Sequence, residues 1–394
     1  MRKIAAITGT RAEYGILQPV FKTIESHPSL SLSLIVTGSH LSSAFGNTID
    51  EIERDGFRIA EKIDIITESD SKGSGVRGQG SGYDDSNKDA AISIGKCITG
   101  MTDAIQRIQP DILLVLGDRG EMLAGAIAGI YMNIPIAHLH GGEVSGSIDE
   151  GIRHAITKLS HIHFPATRKS AQRIIRMGEE MERVFLVGAP GLDSILNELL
   201  IPRENIEKQF DIEEDFLLLI QHPVVTEIYD IERQIRTTME AVMSMGIQTI
   251  VLYPNTDPGS QTIIRVINEF DNPPMIQIVK SLPHKTYLSL MRYARVLVGN
   301  SSSGIIESPS FHLPVINIGT RQQGRQRAAN VIDVDYDKEK IVEAIRFALY
   351  DREFKAKVKR CKNPYGDGKA SKRIVDVLSS IRIDNNLLQK RNTY

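Results

Sequence analysis

Short apolar runs alternate along the whole chain with longer segments of helical periodicity. Lys3–Thr8, Leu30–Val36, Ile112–Leu116 and Ile134–Ala137 read as strands. Gly15–Glu25, Ala90–Gln109 and Glu121–Tyr131 between them read as helices. Strand, helix and strand in that order make the βαβ unit of a parallel sheet. A helix at Arg168–Met177 and a strand at Val184–Val187 continue the alternation until Gly188-Ala189-Pro190-Gly191 breaks it. The charged, proline-bearing segment Ile201–Asp215 reads as a link, and the pattern then restarts. Strands are expected at Phe216–Ile220, Ile250–Leu252, Ile276–Val279, Val296–Val298 and Val315–Ile318, with a helix over Ile228–Met245. The fold class is therefore α/β in two domains, 1–200 and 201–371. A last helix, Ser371–Ile381, is expected to return to the first domain, which 372–394 would complete.

In open α/β sheets ligands sit outside the carboxyl ends of the strands, and this chain is polar there. The first strand ends in Gly9-Thr10-Arg11, where backbone N–H groups and a guanidinium suit an anion. Gly117-Asp118-Arg119 follows a fully apolar strand; it either reaches the crevice, pairs internally or caps the next helix. His138–Phe164 is the stretch richest in proton-holding groups: His138, His140, Glu143, Asp149, Glu150, Arg153 and His154. Ser147 and Glu150 fit a capping box, and Ile152, Ala155, Ile156 and Leu159 form one apolar helix face. Glu150 is expected to serve the helix end and Asp149 the chemistry. In the second half, His222 and Asn255 follow strands in the same way. Gly299-Asn300-Ser301-Ser302-Ser303-Gly304 opens a helix containing Glu307, and its hydroxyls and bare N–H groups are what a phosphate needs. Gly319-Thr320-Arg321 adds a cation able to complete a diphosphate clamp. Ser69–Asp85, rich in glycine and serine, reads as a linker or a lid.

Composition narrows the partners. With 47 Lys and Arg against 49 Asp and Glu the charge is close to balanced, so neither nucleic acid nor an anionic membrane is expected. No run is long enough to span a bilayer, and MRKIAAITGTRAEYG reads as a first strand rather than a signal peptide. Cys97 and Cys361 have no metal-ligand spacing and suit a reducing cytoplasm. The pairs His138/His140 and His161/His163 raise the question of a metal, but spacing places no third ligand, so none is expected. A dinucleotide fingerprint with its ribose-binding acid is absent as well.

The stretches GTRAEYG, VTGSHL, LGDRGE, GGEVSGSIDEGIRHAITKLSHIHF, QHPV, YPNTDPGS, GNSSSGIIE, PVINIGTRQQGR and YGDG run together from Gly9 to Gly368. In them the chain closely resembles the hydrolysing UDP-N-acetylglucosamine 2-epimerases of sialic acid biosynthesis. The resemblance implies a glycosyltransferase-B fold, two Rossmann-like domains with a UDP-sugar in the cleft between them. It implies that Arg11, Ser301, Ser302 and Arg321 hold the diphosphate, that Glu307 holds the ribose, and that His222 and Asn255 line the same site. Asp118 and Asp149 match catalytic carboxylates, with Arg119 beside the first and Glu143 counted in the same catalytic group. One position departs: many relatives carry a glutamate where His140 stands, so His140 takes that role or the proton work is redistributed. The implied reaction converts UDP-N-acetylglucosamine and water to N-acetylmannosamine and UDP through a 2-acetamidoglucal, with no cofactor. Related enzymes of the legionaminic acid pathway use a UDP-linked 2,4-diacetamido-2,4,6-trideoxy sugar instead. A UDP-sugar-dependent glycosyltransferase or a sugar-nucleotide sensor would share the binding residues. A cytoplasmic homodimer or homotetramer is the expected setting.

Overall fold

The structure, a computed structural model, describes residues 1–42, 48–65, 85–144, 148–197, 200–254 and 259–394. Among them lie two six-stranded sheets, parallel throughout. The first contains β1 (Arg2–Thr8), β2 (Leu30–Thr37), β3 (Ile59–Ile63), β4 (Ile112–Leu116), β5 (Ile136–Leu139) and β6 (Ile162–Phe164) in the order β3-β2-β1-β4-β5-β6. The second contains β7 (Leu217–Ile220), β8 (Thr249–Leu252), β9 (Ile276–Val279), β10 (Val296–Gly299), β11 (Val315–Ile318) and β12 (Val331–Val334). Its order, β9-β8-β7-β10-β11-β12, repeats that of the first sheet strand for strand. Both are the doubly wound order, whose switch point falls between β1 and β4 and between β7 and β10. Every residue of β4, β5, β7 and β10 is buried. Such strands are stable only with helices on both faces of the sheet.

The chain divides into two compact units. One comprises Met1–Glu143, Ile148–Asp193 and Gly368–Tyr394, the other Val144–Ser147 and Ser194–Asp367. Apart from the short excursion at Val144–Ser147, the crossings lie at 193/194 and 367/368, where the sequence pattern suggested 200/201 and 371/372. Their position follows from Asp193, whose carboxylate accepts from the N–H groups of Ala370 (2.9 Å) and Ser371 (2.6 Å). It thereby supplies acceptors to the first turn of the helix Ala370–Ser380 from a distant part of the chain.

Several elements differ from their sequence reading. The first helix spans Arg11–Glu25, starting ahead of Gly15 because Thr10 caps it, its hydroxyl accepting from Glu13 N at 3.3 Å. Val184–Val187 is no strand: Val184 makes an isolated bridge to His163, and the chain then leaves β6, which is itself three residues long. Residues 201–215 include a helix, Arg203–Gln209, rather than only a link. The edge strands β3 and β12 are interrupted by charged residues, half-buried Glu61 and exposed Lys62 in the first and exposed Asp333 in the second, and escaped the apolar pattern. The helix Ile148–Leu159 exposes Ala155 and buries Arg153 and Thr157 beside Ile156, with Ser160 buried just past its end. Its inward face is thus partly polar, tolerated because those side chains are hydrogen-bonded. Ser147 as a helix cap, Asn255 in the site and positions 69–84 of the glycine-rich stretch lie outside the described residues.

Residues 368–394 are fixed to the first unit by a buried charge cluster. Glu179, 1% exposed, accepts from Lys158 Nζ (2.6 Å) and Lys390 Nζ (2.7 Å) and pairs with His163 Nε2 (3.1 Å). Lys390 also donates to Ser160 O at 2.8 Å. Burial by itself would raise the Glu179 pKa, but the bonds from His163, Lys158 and Lys390 outweigh it and hold the value at about 2. A carboxylate lowered in this way stabilises the fold fully above its ordinary value of 4.5, and the contribution is lost as pH falls toward about 2. Glu179→Gln leaves buried ammonium groups without their counter-charge and should cost about 3 kcal/mol. Urea unfolding at pH 7 measures this, and the difference from wild type should shrink as the pH is lowered below 4.5.

Candidate active site

In the first unit the candidate residues gather at the carboxyl ends of β1, β4 and β5. After β4, Asp118 is half-buried and its carboxylate is ion-paired to the Arg153 guanidinium, whose side chain is 4% exposed. Arg153 also donates from Nη1 to Glu143 O at 3.0 Å. After β5 the chain turns sharply at His140, a non-glycine residue in the left-handed region with φ +58°. The turn separates His140 from His138, so the two imidazoles no longer share a strand face. His138 bonds Gly117 O through Nε2 at 2.8 Å and meets the Thr157 hydroxyl at Nδ1. Burial pushes the His138 pKa down to about 3, keeping the ring neutral. His140 Nδ1 lies 2.8 Å from Glu143 Oε1, and its buried Nε2 has no hydrogen-bond partner among the described residues. Arg119 is ion-paired with Glu121 at 3.4 Å and Arg11 with Glu51 at 2.9 Å. Asp149 is exposed in the first turn of its helix, and Glu150 lies 3.6 Å from His154 in the next turn.

In the second unit the ends of β7 and β10 are joined by Asn300. Its Oδ1 accepts from His222 N at 2.7 Å and its Nδ2 donates to His222 O at 2.9 Å. The approach requires Gly299, with φ +127°, because a Cβ there would meet Ile220 O at 2.0 Å. Asn300 O accepts from Gln322 Nε2 (2.8 Å) and Arg321 Nη1 (3.4 Å), which draws the end of β11 into the same group. Burial, and then Arg321, push the His222 pKa down to about 3. The serine run differs from its sequence reading. Ser303–Ile306 is a single helical turn, and Glu307 stands between it and a 3-10 turn at Ser308–Phe311. Ser301 Oγ accepts from Ser303 N at 3.4 Å, and Tyr287 lies within bonding reach of Ser301 and Ser303, its pKa pushed up by burial and then by Glu307.

The structure thus groups Asp118, Glu143 and His140 around Arg153, and His222, Ser301, Glu307 and Arg321 around Asn300 and Tyr287. Sequence reasoning gave no site role to Arg153, Asn300, Gln322 or Tyr287. Arg153 was visible as a charge on the catalytic segment; Asn300 was visible inside the serine run. Among the described residues no group of three or more His, Cys, Asp and Glu side chains is placed to hold a metal ion. His161 Nδ1 accepts from Ile136 N at 3.1 Å and His163 bonds Glu179, so that pair serves the fold. No helix among the described residues is long and apolar enough to cross a membrane.

Known proteins share this architecture. The family model described as UDP-N-acetylglucosamine 2-epimerase matches residues 22–379. The hydrolysing UDP-N,N'-diacetylbacillosamine 2-epimerase of Legionella pneumophila is 43% identical over the full length of both chains. A UDP-N-acetylglucosamine 2-epimerase of Neisseria meningitidis is 32% identical over 90% of each. A GDP/UDP-N,N'-diacetylbacillosamine 2-epimerase of Campylobacter jejuni is 35% identical over 84% of each. Among solved structures, that of UDP-GlcNAc 2-epimerase from Neisseria meningitidis bound to UDP-GlcNAc superposes with a TM-score of 0.79 at 19% identity, covering 95% of this chain and 99% of that one. The fold is accordingly of the glycosyltransferase-B type, each unit a Rossmann-like α/β domain.

Because the Asn300 side chain makes two bonds to the His222 backbone, Asn300→Ala should lower the unfolding free energy by about 1–3 kcal/mol, the cost of stranding buried polar groups. Denaturant titration of the variant beside wild type gives the difference.

Proposed function

The chain belongs to the UDP-N-acetylglucosamine 2-epimerase family, and from that premise we propose that it is a hydrolysing 2-epimerase of a UDP-linked 2-acetamido sugar. The observation that carries the reading is the pairing of His140 with Glu143 beside Asp118 and Arg153. A carboxylate at Nδ1 favours the tautomer with its proton there and leaves Nε2 as a lone pair. In the proposed reaction the C1–O bond breaks with its electron pair leaving on UDP, and His140 Nε2 takes the C2 proton. The double bond so formed between C1 and C2 is that of a 2-acetamidoglucal. Water then adds its hydroxyl at C1, and a proton enters C2 on the opposite face. Asp118, oriented by Arg153, and Asp149 are the carboxylates we assign to that second transfer, with Glu143 positioning His140. Hydride transfer plays no part, so no nicotinamide is called for.

For the nucleotide we assign Arg11, Ser301, Ser302 and Arg321 to the diphosphate and Glu307 to the ribose. By the family resemblance we assign His222, Asn255 and Arg119 to substrate binding as well. The serines and Arg321 all lie within one bond or turn of Asn300, at the switch point where such a fold receives its ligand.

We take the sugar to be the 2,4-diacetamido-2,4,6-trideoxy one. What favours it is the 43% identity to the Legionella pneumophila enzyme along the entire chain. UDP-N-acetylglucosamine is the second reading, favoured by the Neisseria meningitidis relative at 32%. Side-by-side assays of UDP release without any acceptor should give the diacetamido substrate the higher kcat/KM. An equal or higher value for UDP-N-acetylglucosamine reverses the assignment, and a need for an acceptor points to a glycosyltransferase. Run in heavy water, turnover should leave one deuterium at C2 of the released sugar; hydrogen retained at C2 in mass spectra ends the epimerase reading.

His140→Gln and Asp118→Asn should each lower kcat about a hundredfold or more, the scale of a lost acid or base. Calorimetry should find UDP bound by His140→Gln as tightly as by wild type, since the imidazole is assigned to the sugar and not to the nucleotide.

A further inference from the structure

The helix Arg11–Glu25 begins where a diphosphate is expected, yet part of its donor set is already taken. Gly9 N donates to Glu13 Oε2 at 2.9 Å and the Thr10 hydroxyl donates to the same oxygen at 3.3 Å. Glu13 is 7% exposed, and its other oxygen, Oε1, has no hydrogen-bond partner among the described residues. The helix Gly120–Tyr131 brings a second buried acid, Glu121, against the same glycine. A Cβ built on Gly9 would lie 3.3 Å from Glu13 Oε2 and 3.4 Å from Glu121 Oε1. Two carboxyl groups therefore close over one turn, with Arg119 as the cation beside them.

The other neighbours leave this imbalance in place. His40, on the 3-10 turn Gly38–Leu41, is held neutral by burial with a pKa of about 4, and its ring bonds Thr8 and Thr48. Arg11 is engaged by Glu51, and the Tyr14 hydroxyl by Asp55. Cys97, whose pKa burial and then Glu121 push up to about 12, is a neutral thiol. An arriving diphosphate would add negative charge to a site where two acids already share one guanidinium.

We propose that the Gly9–Arg11 turn is proton-gated: the Glu13 carboxyl is neutral when a diphosphate occupies the turn, so that nucleotide binding takes up a proton. The inference rests on the assignment of Arg11 to the diphosphate made above. In the free protein burial pushes the Glu13 pKa up to about 7, Arg119 opposing and Glu121 adding to the shift. At pH 8 roughly nine-tenths of Glu13 is then ionised, and binding that requires the neutral form forfeits about tenfold in affinity. At pH 6 that loss is nearly absent.

Calorimetry of UDP binding at pH 8, in two buffers of different ionisation enthalpy, tests this. UDP's own terminal phosphate, with a second pKa of about 6, is ionised at that pH and adds no proton of its own. Wild type should take up close to one proton, and Glu13→Gln none. The glutamine oxygen can still accept from Gly9 N, and the variant should bind UDP about tenfold tighter than wild type at pH 8 and equally at pH 6. UDP binding by wild type without proton uptake, or an uptake that Glu13→Gln preserves, overturns the inference. Failure of wild type to bind UDP at either pH instead overturns the assignment of the turn to a diphosphate, and the inference with it.

Discussion

The arrangement of the first unit's chemistry depends on the buried guanidinium of Arg153. One arm meets Asp118 after β4, another holds the carbonyl of Glu143 beyond β5, and Glu143 in turn holds His140. A planar, permanently charged fork can bind two loops at fixed angles, which an ammonium on a flexible stem does less well. Burying that charge is costly, and the cost is recovered only because both arms are engaged. The helix that carries Arg153 accordingly turns a partly polar face inward, against the usual economy of an amphipathic helix.

The second unit solves the same problem with a neutral residue. The strand order is the same, and the ends joined are those of the two central strands, β7 and β10. Here the bridge is the Asn300 amide, which satisfies both backbone groups of His222 at once. It can do so only because Gly299 lets β10 come up against the Ile220 carbonyl. In the first unit the chain leaving the matching strand, β4, also turns through a glycine, Gly117, with φ +74°, while after β5 a histidine, His140, takes the left-handed conformation. The Glu143 carboxylate at Nδ1 then orients the imidazole, so that the Nε2 nitrogen is presented in one direction.

Strands buried on both faces announced themselves as unbroken apolar runs, and the residues just after them were therefore legible as site candidates. Asp118, His140, His222 and Arg321 stand where that reasoning expects a ligand. What escaped it was decided by partners distant in the chain. Nothing near Asp118 indicates that Arg153 will meet it, and nothing near Asp193 indicates that it will cap a helix at Ala370. The edge strands β3 and β12 were missed because charged residues, Glu61 and Lys62 in one and Asp333 in the other, interrupt their apolar runs, which an edge position tolerates. The serine run was read as the start of a longer helix because its hydroxyls suit a cap, but the chain turns again at Pro309.

The cluster around Glu179 also orders events during synthesis. The first unit is discontinuous: its sheet is encoded early, yet Lys390 and the helix Ala370–Ser380 come from the far side of the second unit. A ribosome therefore exposes a complete second unit while the first still lacks its closing helix and Lys390, the second of the two ammonium groups around its buried acid. The half of the chain that is made first is the half that matures last, and until residue 390 has emerged its nascent sheet must be kept from other partners.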